Sequence, residues 1–260
     1  MMRRLARSGR RLAGALLAVA LLAACQQAPL TGRQQLILLP EGQDTQLGLE
    51  AYQQILDESR IATDPELDRR VQEVGRRIAA VSTQPDWDWQ FTLIENDEPN
   101  AFALPGGKVG VHTGLFRVAE NDAQLAAVIA HEVAHAIARH GAERMSQGML
   151  AQYGAAAIGL GTGNQAYAEL AAQAATLGII LPYSRTQESE ADHIGLFYMA
   201  EAGYDPRAAV VLWRNFERFG GARPPEFLST HPAPGSRIAD LEELMPAALE
   251  VYRARGGGTG

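Results

Sequence analysis

The sequence predicts an α+β fold, mainly α-helical, with a small β-sheet set beside one central helix. Three observations predict it. Apolar residues recur at helical spacing through most of the chain, as at Leu67, Val71, Val74 and Ile78. Strand-like alternation is confined to Trp89 through Ile94 and to the two arms of Asn100 through Val111. Val128 through His140 reads as one Ala/Val/Ile helix interrupted by His131, Glu132 and His135. With 260 residues, 47% of them hydrophobic, the chain can bury a full core. One compact domain is expected over 41–254, between a tether at 25–40 and a disordered tail at 255–260.

From the start, Met1 to Arg11 carries five arginines and no acid, and Leu12 to Ala24 is small and apolar. This is the pattern of a secretory leader, its apolar run being shorter than the roughly 20 residues that span a bilayer. Leu22-Ala23-Ala24-Cys25 resembles a bacterial lipobox, in which the leader is removed before a cysteine that is then acylated. Cys25 is the chain's single cysteine, so it is the expected lipid-attachment site, and no intramolecular disulfide can form. Gln26 behind it resembles lipoproteins sorted to the outer membrane, which makes the expected location the periplasmic face of that membrane. Without the leader's five arginines, 18 basic side chains face 30 acidic ones, a formal charge near −12. Such a surface excludes general affinity for nucleic acid; the expected membrane contact is through the lipid at Cys25.

Two helices follow the tether, at Glu41 to Arg60 and Asp64 to Val81; Asp64-Pro65 supplies a cap and a first-turn proline to the second. Trp89 to Ile94 is a strand whose tryptophans are packing residues. Asn100 to Val111 then reads as a strand, a Pro-Gly-Gly turn and a second strand. Gly107, Lys108, Val109, Gly110 and Val111 are expected to leave a backbone edge unpaired, to which a polypeptide in extended form could add as a further strand. His112 is read as a packed or surface histidine, Thr113 to Ala119 as a short helix, and Asn121-Asp122 as the next cap.

At roughly 100° per residue, His131 and His135 share one helical face while Glu132 projects beside them. Two imidazoles and a carboxylate amid Ala, Val and Ile are costly to bury without a metal or strong partners. The spacing is that of a half-built catalytic zinc site, which wants a third protein ligand and one position for water. In one such pattern a third histidine stands six residues after the second, at 141, but that position is Gly141 and His140 lies one residue short. Among the acids that follow, Glu143 is too near and Glu169 stands alone in an Ala-rich run. Glu188 and Asp192 lie four apart in Ser184 to Gly195, so Glu188 is the expected third ligand and Asp192 the expected holder of a ligand histidine's free N–H.

Gly148 to Pro182 is Ala/Gly-rich; two close-packed helices over the zinc cleft are the first reading, a mobile lid the second and interfacial insertion the third. Asp205-Pro206 opens a helix to Phe219, and Pro234 to Ala254 forms the last one. His193 and His140 are read as second-layer or surface residues.

His131-Glu132-Val133-Ala134-His135, with Glu188-Ser189-Glu190-Ala191-Asp192 and Gly195 behind, resembles the CAAX-prenyl-protease-like zinc endopeptidases, metallopeptidase family M48. Asn100 to Gly107 and Ser229-Thr230-His231-Pro232 are similar to its periplasmic lipoprotein branch, the BepA and LoiP type. The resemblance implies a zincin-like domain, one Zn2+ per chain held at His131, His135 and Glu188, and Glu132 as general base. It also implies hydrolysis of misfolded or unassembled envelope proteins, with outer-membrane assembly components as possible partners. His231 is the leading candidate for oxyanion stabilisation, ahead of Tyr183, Arg185 and Arg237. It could equally occupy the open zinc position and keep the site latent, or cap the following helix. The alternative function is a chaperone-like assembly factor that binds extended chains in the same cleft without cutting them.

Overall fold

The computed structural model describes residues 25–162, 166, 169, 183–220, 226–231 and 236–257. The expected leader at 1–24 lies outside them, as do most of the second half of the Ala/Gly-rich segment and the tip of the C-terminal tail.

Helix α1 spans Glu41–Glu58 and α2 spans Pro65–Val81. The Asp64 carboxylate accepts from the backbone N–H of Glu66 and of Leu67, both at 3.0 Å, so the expected cap is present. Val71, Val74 and Ile78 form its buried stripe. Three strands follow: β3 at Gln90–Ile94, β4 at Ala101–Leu104 and β5 at Lys108–His112, after β1 at Cys25–Gln27 and β2 at Gln34–Leu36. Gly106 and Gly107 turn β4 into β5 with φ of 83° and 82°, a left-handed conformation that L side chains rarely adopt.

The sheet order is β3-β5-β4, with β5 parallel to β3 and antiparallel to β4. This corrects the expectation for Gly107 to Val111. That stretch is the centre of the sheet, paired on both sides, because β3 is recruited from outside the hairpin. The outer edge next to the central helix belongs to β4. His112 N–H donates to the Asn100 carbonyl at 3.0 Å. The antiparallel alternation then turns the backbone polar groups of Ala101 and Ala103 away from β5.

The central helix α3 runs Asp122–Ile137, capped by Asn121 through the N–H of Gln124. Every residue from Gln124 to Ile137 is buried, so the helix has no solvent face; it packs against α2, β4 and two later helices. It does not continue through His140 as the sequence reading had it. Arg139 takes a φ of 54° and a separate helix, α4, begins at His140 and runs to Thr162. Of the two helices expected over 148–182, the end of α4 is described, and the remainder, save 166 and 169, is not.

Helix α5, Arg185–Glu201, opens on a full capping box between Ser184 and Gln187. Helices α6 at Arg207–Gly220, α7 at Glu226–Thr230 and α8 at Arg237–Ala254 complete the chain. Thr113–Arg117 is a 3-10 turn, and Gly256 and Gly257 fold back onto the end of α8 through the carbonyls of Arg253 and Tyr252.

Two compact units divide the chain. One comprises Pro29–Thr31, Glu41–Gly141 and Ile180–Gly260, and carries the main core from Val71 to Ala248. The other comprises Met1–Ala28, Gly32–Pro40 and Ala142–Ile179. Within it β1 and β2 form an antiparallel pair, Arg33 meets Glu143 through two bonds of 2.8 Å, and Leu38 N–H donates to Ser146. Much of the expected tether is therefore built structure. Among the described residues, no helix is long and apolar enough to cross a membrane.

Candidate active site

Four elements deliver the polar groups to one buried point. From α3 come His131, Glu132 and His135; from α5 come Glu188 and Asp192; His231 follows the last turn of α7, and Arg237 begins α8. The crossing of α3 and α5 is set by Gly195. A Cβ there would stand 2.9 Å from the His131 backbone nitrogen, so the two helices touch main chain to main chain. Glu188, two turns earlier on α5, is thereby brought level with both histidines.

His131 Nε2 and His135 Nε2 are 3.0 Å apart. Glu188 places Oε1 3.3 Å from His135 Nε2 and Oε2 3.6 Å from His131 Nε2. With His231, each residue offers one donor atom, and all four lie within 4.8 Å of one another. Both Glu188 oxygens, His231 Nε2 and Glu132 Oε1 are buried without a hydrogen-bond partner. Arg237 Nη1 stands 3.0 Å from Glu188 Oε2, close enough for charge attraction but not aligned as a hydrogen bond. Native proteins rarely leave so many buried polar atoms unsatisfied at one point. Imidazole nitrogens and a carboxylate are a divalent cation's donor set, so these residues fit a zinc ion.

Asp192 stands beside the outer nitrogen of His131. Its Oδ1 is 3.0 Å from His131 Nδ1, and Arg237 donates to both of its oxygens. The Arg237 guanidinium lies 3.5 Å over the Trp213 ring, which fixes it against α6. Arg237, one of several expected oxyanion candidates, braces Asp192 and also stands 3.1 Å from both ring nitrogens of His131. Arg185 is exposed, and Tyr183 packs its ring 4.0 Å from that of His135.

Electrostatics separate the roles. Burial, reinforced by the Glu188 charge, pushes Glu132 up to about 8, although His131 and the Ala103 N–H pull the other way. Burial and Arg237 push His131 down, yet the Asp192 and Glu188 carboxylates beside it win and raise it to about 9. Burial pushes Glu188 up, but the two histidines hold it well below the carboxylate range. Burial drives His135 well below the usual imidazole value and His231 down to about 3, which leaves both neutral with a lone pair to offer.

His231 does not cap the following helix. Its Nδ1 faces the Phe227 carbonyl and the Thr230 hydroxyl, while Nε2 points into the donor group and stands 3.3 Å from Glu132 Oε1. His112 is buried away from the group, beside the Glu98 carbonyl. His193 packs on Phe197, outside the group. Lys108, at the start of β5, turns to Asp88.

Residues 65–245 match the sequence profile of Peptidase family M48. A fission yeast protein named mitochondrial metalloendopeptidase OMA1 is 39% identical over 184 residues, 68% of this chain and 53% of its own length. The Arabidopsis thaliana protein of that name is 33% identical over 234 residues, covering 88% of this chain and 46% of that protein. A beta-barrel assembly-enhancing protease of Escherichia coli is 34% identical over 209 residues, covering 76% of this chain and 43% of that protein. The chain thus spans about half the length of these relatives. The profile match contains His131, Glu132, His135, Glu188, Asp192, His231 and Arg237, the same residues that the fold gathers at one point, and the chain belongs to peptidase family M48.

Proposed function

We propose that the chain is a zinc endopeptidase that hydrolyses polypeptides bound in extended form. One observation carries this reading: a buried group of metal donors with the carboxylate of Glu132, one oxygen unpartnered, at its side. His131, His135 and Glu188 would hold the ion, which when bound acidifies a water toward a pKa of about 7 and polarises the scissile carbonyl. Glu132 is placed to take a proton from that water and return it to the leaving amine. The outer edge of β4 is the backbone ladder to which an extended substrate would add.

The His231 geometry favours closure of the site over oxyanion stabilisation. An oxyanion donor must aim at where the developing charge will sit, whereas His231 Nε2 lies within the donor group itself, where it would take the position on a bound ion that a catalytic site keeps for water. We read this as a latent form, which the binding-only alternative would share.

The reading extends to a lipid anchor at Cys25, a periplasmic location at the outer membrane, and misfolded or unassembled envelope proteins as substrates. The leader pattern supports the first two, and the name of the Escherichia coli relative supports the third. The test is cleavage of unfolded casein by the full chain. Activity is expected to vanish with a chelator and return with zinc, and His231→Ala is expected to cut faster than wild type. Chelator-resistant cleavage would refute the zinc assignment, and slower cleavage by His231→Ala would refute latency.

A further inference from the structure

Asp192 holds one ligand histidine of the pair, and the other has a different neighbour. His135 Nε2 faces His131 and Glu188, while its Nδ1 lies 2.9 Å from Nδ1 of His140. His140 is fully buried, and its Nε2 lies 2.9 Å from Glu190 Oε2. The other oxygen of Glu190 accepts from the Thr31 hydroxyl. All four residues belong to one compact unit.

We propose that His140 and Glu190 form a positioning relay for His135, fixing the tautomer that presents His135 Nε2 to the metal. The inference rests on the metal-site reading above and goes beyond it. A neutral imidazole carries a single N–H, and a carboxylate can only accept. His140 therefore brings its proton to Nε2, where Glu190 accepts it, and its Nδ1 is left as an acceptor. That acceptor calls for a donor, which is His135 Nδ1–H. The lone pair of His135 then sits on Nε2, inside the donor group. Each protonation state fixes the next, from a carboxylate two steps away from the metal.

The backbone is bent to make this contact. Five residues on in an unbroken helix, His140 would lie roughly 140° around from His135 and could not reach its ring. The left-handed Arg139, at φ 54°, ends α3 and returns the chain beneath His135. A left-handed non-glycine residue is strained, and the Arg139 side chain is pinned there at 2.8 Å by Asp44. Gln187, from the capping box of α5, donates to the His140 carbonyl and holds the same corner from the other side. The two ligand histidines are thus oriented by different neighbours: His131 by an anion braced by Arg237, and His135 by an imidazole that keeps the Glu190 carboxylate one ring further off.

Two measurements on the full chain test the relay. In long-range proton–nitrogen spectra of the zinc-loaded protein with isotope-labelled histidine, the proton of His140 is expected on Nε2 and that of His135 on Nδ1. A His140 proton on Nδ1 would overturn the proposal, whatever any variant does. In chelator competition, His140→Phe, which keeps the ring shape without its hydrogen bonds, is expected to weaken zinc binding about 10- to 100-fold. The double variant His140→Phe with Glu190→Leu should bind zinc no worse than His140→Phe alone, since Glu190 acts only through His140. Losses that multiply in the double variant, or a His140→Phe affinity within about twofold of wild type, would also overturn it. A zinc-binding chain that shows the tautomers but does not cut casein even as His231→Ala would refute the peptidase reading while leaving the relay standing.

Discussion

Arg237 shows how a single side chain holds two helices to one chemical purpose. It binds both oxygens of Asp192, lies over Trp213 and approaches Glu188, all within the core. Arg237→Met would keep much of the volume and leave the Asp192 carboxylate buried with only His131 for a partner. A broken buried pair costs about 3–5 kcal/mol, so urea unfolding of the metal-free protein should shift to markedly lower concentration. An unchanged midpoint would show that the Asp192 pairing is not what stabilises α8 against α5. The sequence exposed His131, Glu132 and His135 because their spacing is local and set by one helix. Glu188 and Asp192 could be reached by eliminating the other acids. Arg237 could not be tied to Asp192, because no spacing rule links residues 45 apart. His140 was left at the margin because the apolar pattern reads straight through the left-handed Arg139.

At the level of elements, the site depends on how α5 crosses α3. Gly195→Ala would place a methyl 2.9 Å from the His131 backbone nitrogen, where neither main chain can yield cheaply. Overpacking of this kind costs about 1–3 kcal/mol. Because the shift would carry Glu188 away from the histidines, thermal stability and zinc affinity are expected to fall together. A variant that unfolds earlier yet binds zinc as tightly would separate the crossing from the site. Two helix starts were readable, since Asp64 and Asn121 cap as their residue types imply, while the Ser184 capping box emerged only in the fold. The strand order was not. Alternation and a Pro-Gly-Gly turn identify β4 and β5 as a hairpin, but the parallel partner β3 joins β5 through contacts that no local pattern announces. The free edge consequently moved from β5 to β4.

For the whole molecule, the leader pattern, the family and the site describe one proposed object: a lipid-anchored peptidase at a membrane face. Full-length chain expressed in a bacterium is expected to incorporate labelled fatty acid and sediment with membranes, whereas Cys25→Ser should do neither; equal labelling of both would remove the anchor. The division into two units was not legible. Residues 25–40 read as a plain tether because the partner of Arg33 is Glu143, 110 residues away. The central claim is that the gathered donors hold a zinc ion on which Glu132 acts as a base without being a ligand. The most direct test is zinc content and casein cleavage measured together in Glu132→Gln, in the activated His231→Ala background. The account predicts one zinc per chain, as in the parent, with cleavage lowered by about 10²- to 10⁴-fold. Cleavage at the parent rate by a zinc-loaded Glu132→Gln chain would contradict it.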